Sequence, residues 1–346
     1  MENPLLALPG AVPAEGPDTG VTSHYGDPSG EQRALQRTAG LVDRSHRGVV
    51  RIGGPDRLSW LNSLSTQLLD PLEPGAATQT LILSPNGHVQ HHLTLVDDGE
   101  QTWVHVEPGT AAGLVGFLES MRFMLRVEPA DVTGEYAVLT LMGPDAPAAG
   151  DPQLSAAAVL PGRLGTDLIV PRGRLADVAD SLTGRGVRPA GMWAYEALRI
   201  AAHQPRLGID TDHRTIPHEV GWIGSAVHLD KGCYRGQETV ARVHNLGHPP
   251  RRLVLLHLDG SVDRLPSPGD VIEMNGGHVG VTGSAARHYE LGPIALGLVK
   301  RTVPTDVQLL AGGVDAAQEV IVPPDAGANV KATLRRSGGT MLRPPR

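Results

Sequence analysis

The strongest constraint on how this chain can fold is a change of texture at Pro249-Pro250. Beyond it, short apolar runs at residues 253–258, 271–272, 279–281, 294–299 and 320–322 alternate with Gly, Pro and Asp turns. Runs that short, punctuated that often, are strands, and a small barrel is the closure that removes their exposed edges. The boundary therefore falls near residue 250, giving a barrel over 251–335 and a basic, flexible tail over 336–346.

Before the boundary, helical and strand periods alternate. Residues 1–30 carry Pro4, Pro9, Pro13, Pro17 and Pro28 among many glycines and predict a mobile or loosely draped arm. A short helix from Glu31 to about Gly40 precedes a strand over 49–52. The turn Gly54-Pro55-Asp56 then opens a helix marked by Leu58, Leu61, Leu64 and Leu68. Strands at 80–83 and 89–96 flank Asn86-Gly87, a strong hairpin signal, and a third strand covers 102–106. Leu114, Phe117, Leu118 and Met121 mark a helix, with a strand expected at 124–127. The strand at 137–142 runs into Gly143-Pro144-Asp145, echoing residues 54–56 and suggesting a second strand–turn–helix unit. A strand at 167–170 and helices over 175–182 and 193–203 complete an α+β region spanning 31–250. Residues 206–232 have no clear period.

Composition narrows the function classes. With 2 Phe, 5 Tyr and 4 Trp, the cores must be built from aliphatic side chains, and few aromatic platforms exist for stacking nucleic-acid bases. A net charge of −7 argues against broad non-specific binding to phosphate backbones. One cysteine excludes an intrachain disulfide and a self-contained iron–sulfur site. No run of about 18 apolar residues and no basic region followed by an apolar core are found, so the sequence predicts a soluble cytoplasmic protein with no membrane partner.

That single cysteine, Cys233, lies in the stretch KGCYRGQE, residues 231–238, between two glycines and two cations. Lys231 and Arg235 would favour the thiolate, the reactive form of the side chain. Gly232 and Gly236 permit close backbone approach, while Gln237 and Glu238 offer an amide and a carboxylate to a ligand. The alternative is an inert buried thiol. Lys231, Arg235, Arg242, Arg251 and Arg252 put five cations within 22 residues, suiting an anion site beside Cys233 or simply a solvated basic stretch. His88, His91 and His92 could ligate a metal, but His91 and His92 point to opposite faces of a strand. His244 and His248 are four apart, where Gly247 and Pro249 argue against a helix, so no metal site is assigned.

KGCYRGQE followed by Ala241-Arg242 resembles the signature of the YgfZ family, folate-binding proteins related to the aminomethyltransferase (T-protein) of the glycine cleavage system. Asp43-Arg44-Ser45-His46 through Gly54-Pro55-Asp56 is similar to the opening segment of the T-protein. Leu198-Arg199 through Pro205 is similar to its LRxEAGxP helix end, and Ile216-Pro217-His218-Glu219 to its IPxE turn. The resemblance implies an aminomethyltransferase-like folate-binding fold: two interleaved α/β modules and a C-terminal β-barrel around a central channel that holds tetrahydrofolate or another reduced folate. It implies Cys233 as the reactive residue. As folate or anion contacts it implies Lys231, Tyr234, Arg235, Gln237, Glu238, Arg242, Arg199, Glu219, Trp222 and Asn86, with Tyr195 also near the channel.

Two positions depart from the transferase pattern. Where the T-protein hairpin reads GGxxDD, this chain has Gly87-His88-Val89-Gln90-His91-His92, and where LRxE supplies a glutamate for the pterin it has Ala201. Aminomethyl transfer is therefore not expected, and Glu219 is the candidate substitute acceptor. The function implied is iron–sulfur cluster assembly or maintenance for client enzymes, with Cys233 ligating a cluster transiently or doing redox chemistry. Alternatives are folate-dependent aminomethyl transfer and a role in tRNA modification, the latter link explicable through iron–sulfur clients.

Overall fold

A computed structural model describes residues 3–148 and 150–327; residues 336–346, expected as a tail, lie outside the described residues. Strands β1 (Val12–Pro13) and β2 (Thr22–His24) lead into α1 (Pro28–Arg37). The helix starts ahead of Glu31 because Asp27 caps it, its Oδ1 accepting from Gly30 N at 2.9 Å, and Pro28 sits in the first turn. In order then come β3 (Gly40–Asp43), β4 (Gly48–Gly53), α2 (Arg57–Leu64), β5 (Ala77–Leu83), β6 (Val89–Asp97), β7 (Gln101–Val106), α3 (Ala111–Ser120) and β8 (Glu128–Asp131). After β9 (Tyr136–Met142), β10 (Ala158–Pro161), β11 (Thr166–Pro171), α4 (Leu175–Gly184) and β12 (Arg188–Ala190), the helix α5 (Met192–Ala201) closes the α/β region.

The strands form two five-stranded sheets, ordered β5-β6-β7-β4-β8 and β10-β11-β9-β3-β12. Because β3 precedes the whole first sheet in sequence yet pairs in the second, the two modules are interleaved. The sheets face each other across Val49, Val96, Trp103, Val138 and Ile169. Their opposite faces, offset by one residue along each strand, pack on helices: Val50, Ile52 and Val104 against Trp60, Leu61, Leu114 and Leu118, and Leu139, Leu141 and Leu168 against Leu175, Val178 and Leu182. Period-two alternation with both faces apolar is what burial between a helix layer and another sheet demands.

The Gly-Pro-Asp echo marks matching corners. A Cβ on Gly54 would stand 2.1 Å from Arg126 O and one on Gly143 2.2 Å from Thr38 O, so both turns rest directly on backbone. The helix expected after the second corner does not form among the described residues there, where a 3₁₀ turn, Pro152–Leu154, is found instead. The strand expected at 124–127 is also displaced. Phe123 has φ +47°, Phe123 and Met124 are 83% and 98% exposed, and pairing begins at Glu128.

After α6 (Gln237–Leu246), strands β13 (Arg251–Leu258), β14 (Val271–Met274), β15 (Gly277–His288), β16 (Gly292–Lys300), β17 (Gln308–Ala311) and β18 (Val314–Val320) close a six-stranded barrel. On β13 the alternation splits two cores: Val254, Leu256 and Leu258 join the cluster with Ile272 and Leu309, while Leu253 and Leu255 pack on Leu81, Leu83, Ala197, Ile200 and Trp222. That second cluster binds barrel and α/β modules together. The N-terminal segment, expected as a loose arm, is instead packed: Leu5 is buried with Leu41 and Leu139, and Val21 with Met192 and Leu198. Among the described residues no helix is long and apolar enough to cross a membrane.

Candidate functional site

Between the two sheets the buried face changes character along every strand. Two residues beyond Val96 and Trp103 lie Thr94 and His105, cross-strand partners, and two beyond Val138 and Ile169 lie Thr140 and Asp167, partners in the second sheet. His92 and Glu107 extend the polar end. This end is a cavity of about 750 Å³ counting its open mouth, walled also by the 44–47 loop, by Met192, Tyr195, Glu196 and Arg199 of α5, and by Gln204, Pro205 and Arg206. The enclosed space is only about 90 Å³, well below the roughly 300–1,000 Å³ of a preformed small-molecule site, so a ligand would have to displace wall side chains.

Charge in the wall is dense and paired. Arg44 Nη1 lies 3.0 Å from Asp167 and 3.2 Å from Thr140 Oγ1, and its guanidinium sits 4.5 Å above the Tyr195 ring. Arg47 Nη1 donates to Glu107 at 2.8 Å and its Nε to His105 Nδ1 at 2.9 Å. Arg206 reaches Glu107 and Asp18, each at 3.0 Å, and Glu196 at 3.4 Å. Arg199 forks onto Glu196 at 2.7 and 2.9 Å and meets Asp210 at 3.0 Å. Burial opposes the charges on Glu107 and Asp167, yet Arg47 and Arg206 in the first case and Arg44 with His105 in the second outweigh it, holding both carboxyls well below the usual range.

Two histidines of the wall, His92 and His105, are neutral. Desolvation pulls His92 and His105 down to about 4. Because Arg47 donates to His105 Nδ1, the ring proton belongs on Nε2, which is 2.9 Å from Asp167 Oδ2 but not aligned for a regular hydrogen bond. His46 Nδ1 and Gln204 Nε2, both in this wall, are buried with no protein partner. Buried polar atoms are rarely left unpaired, so this cluster of orphans is suited to a polar ligand or water.

Strand parity separates the three hairpin histidines as expected. His92 faces the cavity, bonded to Gln79 at 3.1 Å and 4.6 Å from the Trp222 ring, whereas His91 faces α3, 6.3 Å from Phe117. Among the described residues no group of three or more His, Cys, Asp or Glu could hold a metal. His244 does lie on a helix, because α6 runs to Leu246 before Gly247 stops it; that helix was not expected, and His248 falls beyond it.

The cysteine loop is a separate place. Cys233 is exposed, and none of residues 231–242 lines the cavity. Gly236, φ +82°, and Gly87, φ +81°, meet face to face: a Cβ on Gly236 would stand 2.6 Å from Ser84 O and 3.0 Å from Gly87 Cα, so the loop docks on the hairpin turn through two glycines. The cations expected to activate the thiol are engaged elsewhere. Lys231 Nζ donates to the carbonyls of Asn62, Ser65 and Gln67 at 2.6–2.8 Å, capping the end of α2, and although burial lowers it to about 8 it remains the cationic donor at neutral pH. The Arg235 guanidinium lies over Phe117, 5.7 Å from the ring centroid. Arg251 pairs with Asp212 and Glu219 at 2.6 and 2.8 Å, and Arg252 is buried in the barrel on Val303 O and Gln318. Of the basic run only Arg235 and Arg242 are exposed, so no five-cation site exists.

Of the ten contacts the resemblance implied, Arg199 alone lines the cavity. Trp222 stands behind His92, and Tyr234 is in the joining core, where desolvation raises its hydroxyl to about 12. Gln237 donates to Lys231 O at 3.3 Å, while Glu238 and Asn86 are exposed. Glu219 cannot serve as a substitute acceptor: it is fully buried and accepts from Arg251 and from Ile216 N. The acids the cavity does hold, Glu107, Asp167 and Glu196, escaped the sequence reading. The signal was available: Thr94, His105, Thr140 and Asp167 are polar where the alternation calls for an apolar residue.

Residues 24–151 match the profile of the GCVT N-terminal domain. The aminomethyltransferase of Synechococcus sp. is 27% identical over 264 residues, 66% of this chain and 71% of the relative. That of Streptomyces coelicolor is 27% identical over 307 residues, 80% of this chain and 82% of the relative. The crystal structure of glycine cleavage system aminomethyltransferase T from Bartonella henselae superposes with a TM-score of 0.79 at 20% identity, covering 93% of this chain and 96% of that one. The fold is therefore that of the aminomethyltransferases, and the matches support the GcvT-like superfamily.

Proposed function

We propose that this chain is a YgfZ-type reduced-folate-binding protein of the cytoplasm, not an aminomethyltransferase, and that it acts through exposed Cys233 in assembling or maintaining iron–sulfur clusters of client proteins. The observation that carries the folate reading is the cavity wall, where guanidiniums, carboxylates and orphaned His46 Nδ1 and Gln204 Nε2 converge. The donor set fits the ligand. Carboxylates of Glu107, Asp167 and Glu196 suit the paired N–H donors of a pteridine, and Arg44, Arg47 and Arg206 suit the carboxylates of its glutamate tail. Tetrahydrofolate would enter by exchanging with arginine–carboxylate contacts already present. His92, neutral and bonded to Gln79, stands near where the transferase pattern has an acid, which argues against aminomethyl transfer.

The cluster reading rests on the KGCYRGQE motif and on the exposure of its thiol to a partner. Anaerobic calorimetry with tetrahydrofolate is expected to show saturable binding, and an ammonia-release assay with a lipoyl-carrier substrate no turnover; turnover would overturn the non-enzyme reading. In a deletion strain, wild type but not Cys233→Ser is expected to restore iron–sulfur enzyme activity. Full restoration by Cys233→Ser would remove the thiol from the mechanism.

A further inference from the structure

The segment ahead of α1 touches the cavity wall at chosen points. The Asn3 amide donates to Asp43 Oδ2 at 2.6 Å and to Ser45 Oγ at 3.2 Å, tying the segment to the start of the 43–47 loop. The Asp18 carboxylate lies 3.1 Å from His46 Nε2 and 3.0 Å from Arg206 Nη1. Both partners line the cavity, and His46 with Ser45 also lines a second cavity on the outer side, between the N-terminal segment and Arg172.

A carboxylate can only accept, so Asp18 fixes the His46 proton on Nε2 and leaves Nδ1, buried without a protein partner, as an acceptor. Arg206 is held from the other side by Glu107 and Glu196; Asp18 is the third point that keeps its fork in the wall. From this geometry we infer that the N-terminal segment is part of the ligand site, and that Asp18 is a positioning residue setting the His46 tautomer and the Arg206 orientation for a ligand rich in N–H donors and carboxylates. This inference rests on the reading of the cavity as the folate site.

The test uses the full chain with Asp18→Asn and Asp18→Glu, titrated with tetrahydrofolate. By analogy with metal sites, where losing a partner that orients a ligating residue costs about 10–100-fold in affinity, Asp18→Asn is expected to raise Kd about tenfold, with Asp18→Glu recovering most of the loss. Amide hydrogen exchange of residues 43–47 without ligand is expected to quicken in Asp18→Asn. Unchanged Kd and unchanged exchange overturn the inference, as does a loss that Asp18→Glu fails to recover. If wild type binds no tetrahydrofolate, the folate reading fails, and exchange at 43–47 alone decides whether Asp18 positions the loop.

Discussion

The cavity and the cysteine loop solve opposite problems. In the cavity wall Arg44, Arg47, Arg199 and Arg206 are cross-linked with the carboxylates Glu107, Asp167 and Glu196, and Glu107, Glu196 and Arg206 each meet more than one partner. The loop carries exposed Cys233, and its cations serve architecture: Lys231 caps α2 and Arg235 covers Phe117. Buried charge persists only when paired, so every cavity ion needs a partner, whereas the loop needs only a dock and a reachable sulfur. A site for a small polar ligand and a site for a macromolecular partner would differ in this way.

The comparison can be broken most severely at Glu107. Glu107→Ala leaves Arg47 and Arg206 without their shared carboxylate, and removing one partner of a buried pair costs about 3–5 kcal/mol. Urea unfolding is expected to show that loss, with native-state labelling of Cys233 unchanged; faster labelling would mean that the two sites are coupled.

Acid should act on the cavity next. His92 and His105 fall to about 4 in the folded chain from an ordinary 6.5, so the unfolded chain binds protons first as pH drops. Stability is then full above about 6.5 and declines toward pH 4, by roughly 3 kcal/mol for each ring. Below the ordinary carboxylate range, protonation of Glu107 and Asp167 removes more, because their folded values are depressed. Urea midpoints at pH 7, 5.5 and 4 measure the slope, and His92→Gln should flatten its upper part.

On the loop side the effects are smaller. Gly236→Ala puts a Cβ 2.6 Å from Ser84 O at a positive φ, for an expected loss of about 1–2 kcal/mol and faster thiol labelling as the dock loosens. Smallest is Cys233→Ser: at an exposed position stability should move by less than about 0.5 kcal/mol, and tetrahydrofolate affinity by less than about twofold. A larger change in affinity would join what the structure separates.

The sequence by itself determined the alternation of strands and helices, the hairpin at Asn86-Gly87, the start of the barrel after Pro250 and the singular cysteine motif, because each is written in local periodicity or in contiguous residues. It misread residues 124–127, where only Val127 reaches the core, and the corner after Asp145, where the echo of a turn does not carry a helix with it. It placed the anion site among the cations nearest Cys233 in sequence. Tertiary structure decided otherwise: Arg44, His105, Asp167, Glu196 and Arg206 come from separate elements and meet only when two sheets close face to face. Where an arginine's charge goes depends on which carboxylate or carbonyl folding brings within about 3 Å, and sequence neighbours in an extended loop seldom supply it.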